Sequence, residues 1–136
     1  MRRLAVKGLI LGCAAGLQIS CKTAGRSNGN DARRLGELRE ELQALVQPPS
    51  CSAVTQCRVV PIGAKPCGGP WSYQIYSTAT SDSTALARAV ARYNALEADI
   101  NRRTGRASDC TFVTPPVLGC LSGRCGVASG TTGTIR

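Results

Sequence analysis

The stretch 81–105, SDSTALARAVARYNALEADINRRTG, decides the fold. Leu86, Val90, Tyr93, Leu96 and Ile100 recur at three- and four-residue intervals, which predicts one buried stripe along a helix. Ser81 or Asp82 can cap its start, and the helix should run to about Thr104. Gly105 stands where a glycine stop belongs, and Arg102 and Arg103 before it suit the negative end of the helix dipole. Arg88, Arg92, Asp99 and Arg103 fall opposite the stripe and read as a solvent face. A helix with one apolar stripe needs a surface to cover it. The neighbouring sequence supplies candidates.

Upstream, Ala53 to Ile62 carries Val54, Val59, Val60 and Ile62 and reads as a strand. Trp71 to Ser77 alternates aromatic and polar residues, with Tyr73-Gln74-Ile75-Tyr76 as a second strand. Between them lies Gly63-Ala64-Lys65-Pro66-Cys67-Gly68-Gly69-Pro70, a loop whose glycines let the chain turn beside Cys67. Downstream, Thr111-Phe112-Val113-Thr114 predicts a strand cut off by Pro115-Pro116. Val117 to Val127 predicts a hairpin with Ser122-Gly123 at its tip. Residues 128–136 are mostly Ser, Gly and Thr and predict a disordered tail.

Before all this, Asp31 to Gln47 places Leu35, Leu38, Leu42 and Leu45 on one helical face, with Asn30 or Asp31 as cap and Pro48-Pro49 as stop. Packing on the domain is the simpler use of that face; docking a partner is the rival. The expected class is α+β: a small disulfide-stabilised domain (51–127) with a long helix on a short antiparallel sheet, preceded by an amphipathic helix (31–49).

The N-terminus reads as an address. Arg2, Arg3 and Lys7 precede a mostly apolar run, Gly8 to Ile19, followed by Ser20, which is the layout of a signal peptide over 1–20. That run is too short to span a bilayer, which needs about 20 residues. Bacterial lipoproteins end such a signal at a Cys that receives the lipid. Ile10-Leu11-Gly12-Cys13 leaves too short an apolar core. Gln18-Ile19-Ser20-Cys21 has the right distance, although Gln18 stands where Leu is usual. Parity favours lipidation of Cys21: removing Cys13 and acylating Cys21 leaves six of eight cysteines. Residues 21–30 are polar and Gly-containing and read as a flexible tether. The expected location is therefore the bacterial cell envelope, membrane-bound through a lipid anchor. A soluble periplasmic or secreted protein is the alternative.

Cys51, Cys57, Cys67, Cys110, Cys120 and Cys125 in an exported chain predict three disulfides. The core is thin, with only five aromatics (Trp71, Tyr73, Tyr76, Tyr93 and Phe112), and such domains need staples. If the long helix packs antiparallel on the Trp71–Ser77 strand, Cys67 and Cys110 meet at one end and can bond. Cys120–Cys125 would close only a small loop, so links from the first strand region to the last hairpin are favoured. A zinc site is the rival use of Cys51, Cys57, Cys120 and Cys125, but their spacing is looser than a zinc knuckle.

Gln56-Cys57-Arg58, Gly63 to Pro70 with its Cys-Gly-Gly-Pro, Tyr93-Asn94-Ala95-Leu96-Glu97, Ser108-Asp109-Cys110 and Cys120-Leu121-Ser122-Gly123-Arg124-Cys125 resemble a group of uncharacterised small bacterial lipoproteins. The resemblance covers roughly Cys51 to Val127. It implies export and disulfides, and brings no active site.

The chain has no histidine, which removes Ser-His-Asp triads, Cys-His pairs and His-containing zinc sites. Of its eight acids, only Glu97, Asp99 and Asp109 are free of an obvious helix or cap role. Glu97 and Asp99 are two apart on a helix and do not share a face. No catalytic residue, cofactor or metal ligand is expected, and the chain does not read as an enzyme. The net charge is +9, and +6 from Cys21 onward, with scattered arginines that fit a solvated surface and no nucleic-acid partner. Two functions remain: a binding or structural envelope protein with a protein or cell-wall partner, and a protease inhibitor presenting Arg124 in the Cys120–Cys125 loop.

Overall fold

The computed structural model describes residues 21–128. The expected signal peptide (1–20), and the tail beyond Ala128, lie outside the described residues. Helix α1 spans Cys21–Val46, strand β1 Cys57–Ile62, β2 Ser72–Ser77, helix α2 Ser83–Thr104, β3 Leu118–Leu121 and β4 Arg124–Val127. The class is α+β, with two two-stranded antiparallel sheets, β1–β2 and β3–β4. The helix over the leucine stripe begins at Cys21, so it includes the 21–30 segment read from sequence as a tether. That segment holds no proline to stop a helix extending from the packed leucine turns, although Gly25 and Gly29 are poor helix formers.

The core forms where α1 and α2 cross. Leu42 and Val46 of α1 bury against Leu86, Ala89, Val90 and Tyr93 of α2, and Val60, Ile62 and Tyr76 of the β1–β2 sheet close the layer. Leu35, Leu38 and Leu45 pack partly against it, so α1 belongs to the same core as the disulfide domain. The helices run antiparallel: Asp31 accepts from Arg103 at 2.9 Å, Glu41 pairs with Arg92, and Arg39 donates to the Tyr93 hydroxyl at 2.8 Å. Two of the three exposed arginines of the predicted solvent face, Arg92 and Arg103, thus pair across to α1. Such surface pairs contribute about 0–1 kcal/mol each; burial of the apolar side chains, about 1.5–3 kcal/mol apiece, does more.

The ends of α2 follow from local chemistry. The Asp82 carboxylate accepts from the Thr84 and Ala85 amides, and Gly105 adopts φ +62° and returns its N–H to the Asn101 carbonyl. The buried face differs from the predicted stripe in its second half. Leu96 and Ile100 are only partly buried, and Glu97 and Asn101 are buried instead.

Two strand expectations change. Ala53 to Gln56 is not strand: Gln56 Oε1 accepts from the Ser52 and Ala53 amides, and Val54–Gln56 forms a 3-10 turn before β1 begins. Thr111 to Thr114 is not strand either: among the described residues no strand pairs with it to share a ladder. The hairpin forms as expected. Ser122 and Gly123 take φ of 50° and 78°, the pair of positive angles that a two-residue turn needs to match strand twist.

Three disulfides bind the parts. Cys67 bonds Cys110, as the antiparallel helix-on-strand geometry implies, with Cα atoms 5.4 Å apart. Cys51–Cys120 and Cys57–Cys125 fasten the β3–β4 hairpin to the start of β1. Their sequence separations are 69 and 68 residues, so the first bridge to form closes a large loop and stabilises by on the order of 4 kcal/mol in the chain-entropy account, and the second, joining the same two regions, adds less. The segment before Cys51 pairs along the outer edge of β4: Cys51 N–H donates to Gly123 O and Cys125 N–H to Pro49 O. Among the described residues no helix is long and apolar enough to cross a membrane.

Candidate ligand-binding cleft

The polar second half of α2 has a task. Its Asn94, Glu97 and Asn101, one helical turn apart, face the loop that leaves β1. Asn94 Oδ1 accepts from Gly63 N–H at 2.7 Å, Glu97 Oε2 from Ala64 N–H at 2.7 Å, and Asn101 Nδ2 donates to Ala64 O at 2.6 Å. A loop pressed against a helix cannot satisfy its own backbone groups, so the helix supplies partners. One buried atom is left over: Asn101 Oδ1 has no hydrogen-bond partner.

Gly63 makes the close approach possible. It adopts φ +91°, and a Cβ there would stand 2.4 Å from Trp71 Cδ1 and 2.9 Å from Glu97 Oε2. Only glycine fits. Trp71 then lies over the loop, its backbone N–H donating to Ile62 O. Two cations sit by its ring: Lys65 Nζ at 5.1 Å and the Arg106 guanidinium at 5.8 Å from the centroid.

Lys65 is the loop's anchor. Its side chain is only 5% exposed. It donates to Thr111 O at 2.6 Å and lies 3.5 Å from the Asp109 carboxylate. Its backbone closes the turn that carries Cys67, through Lys65 N–H to Gly69 O and Gly68 N–H to Lys65 O. The Thr111 amide, with Lys65 beside it, holds the Asp109 carboxyl below its ordinary range.

These pieces leave an open cleft of about 210 Å³ between Trp71 and Tyr93, with Arg39, Arg106 and Glu97 in its walls. A second hollow continues it past Arg39, Ile62 and Ser72. Tyr93 and Glu97 are buried and both arginines exposed. The Tyr93 hydroxyl bond, with the charge of Glu97, holds the Arg39 guanidinium protonated above its ordinary value. Among the described residues Arg106 makes no ion pair, and only Oε2 of the Glu97 carboxylate has a hydrogen-bond partner. Two guanidiniums against one carboxylate give the cleft a net positive charge, with an indole beside it. A wider groove of about 670 Å³ runs between the helices; of its charged residues Arg92 pairs with Glu41, Asp99 with Arg102 and Arg103, and Glu37 with Arg33, and Arg34 alone makes no ion pair among the described residues.

Sequence reasoning did not assemble this site. Arg39 and Arg106 lie at distant places in the chain, and Glu97 carries no motif. The one signal was polar residues at helical spacing, Asn94, Glu97 and Asn101, beside the second half of the predicted apolar stripe. Of the singled-out residues, the six disulfide cysteines pair as described. The Sγ atoms of Cys51, Cys57 and Cys125 lie within 4.8 Å of one another because two disulfides are adjacent; bonded sulfurs offer no thiolate to a metal. Cys21 opens α1. Arg124 lies in β4, bonded along one edge to Leu121 and bridged along the other to Ser50. No family model, curated protein or solved structure matches the chain.

Proposed function

We propose that this chain is an exported, lipid-anchored protein of the bacterial envelope whose disulfide-locked domain binds an anionic saccharide of the cell wall. The observation that supports it is the cleft itself: two exposed guanidiniums beside an indole, with the second oxygen of the largely buried Glu97 carboxylate left to accept a hydroxyl. Guanidiniums favour carboxylates, and a sugar's apolar CH face packs on an aromatic ring. An acidic wall sugar combines both features in one ligand. The lipid on Cys21 would keep the cleft near the wall, and the disulfides suit that compartment.

The inhibitor reading through Arg124 is the weaker one. A protease pairs with an extended, free backbone, and the Gly123 carbonyl and Cys125 amide are already bonded to Cys51 and Pro49.

Isothermal titration with a muramic-acid disaccharide and with its neutral N-acetylglucosamine counterpart tests the cleft. The acidic sugar should bind, more weakly as salt rises, and the neutral one should bind less. Equal binding of both, or none of the acidic sugar, would refute the reading. Intact mass of membrane-extracted protein tests the rest: acyl mass on Cys21, and a gain of six hydrogens on reduction.

A further inference from the structure

The chain's only phenylalanine is, among the described residues, the most exposed large apolar side chain. Phe112 is 83% exposed, in a domain too poor in aromatics to leave one idle. Its surroundings are unusual. Among the described residues, the backbone N–H and C=O groups of Phe112, Val113 and Thr114 have no hydrogen-bond partner. The ends of the segment, by contrast, are fixed. On one side Cys110 is bonded to Cys67, Thr111 N–H donates to Asp109 Oδ1 at 3.1 Å, and Lys65 holds Thr111 O. On the other side Pro115-Pro116 fixes two φ angles, and Ala128 N–H holds Val117 O at 2.9 Å.

We infer that residues 110–116 form a substrate-like binding segment for the active-site cleft of a secreted serine endoprotease with a wide apolar specificity pocket, with Phe112 as the anchor. Three features carry this occupant. Free backbone edges on a short segment can add as a strand to an enzyme's cleft, which gives affinity, while the projecting side chain gives specificity. Tethering at both ends lowers the ordering cost of binding. Hydrolysis of the Phe112–Val113 bond would not release a product. Water adds to give a carboxylate on Phe112 and an amine on Val113, but Cys51–Cys120 and Cys57–Cys125 still join the two pieces. The new ends stay in place, so the enzyme remains occupied. The Arg124 turn is also tethered by disulfides on both sides, but it lacks the free backbone edges, since its backbone is already paired.

The test titrates the disulfide-formed protein against chymotrypsin and trypsin, each with a small chromogenic substrate. Chymotrypsin should be inhibited at one-to-one stoichiometry, with trypsin unaffected. Phe112→Ala should raise the inhibition constant by about thirtyfold or more. Phe112→Lys should move inhibition from chymotrypsin to trypsin, a gain that misfolding cannot imitate, and Arg124→Ala should change nothing. Full chymotrypsin activity at protein excess, rapid cleavage with no inhibition, or inhibition that survives Phe112→Ala would each overturn the inference. Sugar binding in the Trp71 cleft stands or falls separately.

Discussion

The two halves of α2 bury opposite chemistry. Residues Leu86, Ala89, Val90 and Tyr93 in its first half meet the side chains of α1, whereas Glu97 and Asn101 in its second half meet the backbone of the Gly63–Lys65 loop. The helix is continuous, and the two faces differ only in what lies across from them. Side chains from a second helix ask for matched volume and no polar atoms. A loop asks for donors and acceptors, since its amides and carbonyls would otherwise be buried unpaired. The first half therefore holds the domain together, and the second sets the shape of the cleft.

Substitutions can break that contrast. The largest expected effect is Leu86→Ala, at 1% exposure in the apolar half. It should cost about 2–5 kcal/mol in chemical denaturation, from lost burial plus the cavity left behind. Gly63→Ala should come next, at roughly 1–3 kcal/mol, since it forces both an unfavourable φ and a clash with Trp71. It should also shift the emission of Trp71, which Leu86→Ala should leave native-like below the transition. Asn101→Leu sharpens the comparison because two terms oppose. It removes a buried, unpartnered Oδ1 but also the bond to Ala64 O. Its stability should stay within about 1 kcal/mol of the wild type, while amide exchange in the 63–65 loop accelerates.

The smallest effect concerns pH. The amides of Ala85 and Thr84 hold the Asp82 carboxyl below its ordinary value. A group lowered on folding stabilises above its unfolded value, near about 3.9, and loses that contribution as pH falls through the folded value. Asp82→Asn keeps the cap bond but does not titrate. Its denaturation midpoint should therefore lie slightly below wild type at neutral pH, and the two should converge in acid.

Local features were legible from sequence. The Asp82 cap and Gly105 stop of α2, the Ser122-Gly123 turn and the strands β1 and β2 each depend on a few adjacent residues, and the Cys67–Cys110 bond followed from placing two of them. What failed needed knowledge of a neighbour. Thr111 to Thr114 has strand composition but no strand to pair with. Leu96 and Ile100 have apolar side chains, but the loop across from that flank wants Glu97 and Asn101. The cleft was illegible because Arg39 comes from α1 and Arg106 from beyond α2, and only the antiparallel crossing brings both to Trp71.

The central claim is that the polar half of α2 builds a binding cleft, and Trp71, the only tryptophan, reports on it directly. Its fluorescence should change saturably as the muramic-acid disaccharide is added to the wild type. The double variant Arg39→Gln and Arg106→Gln, still folded by circular dichroism, should show no change. A flat wild-type titration, or a response that the double variant keeps, would contradict the account.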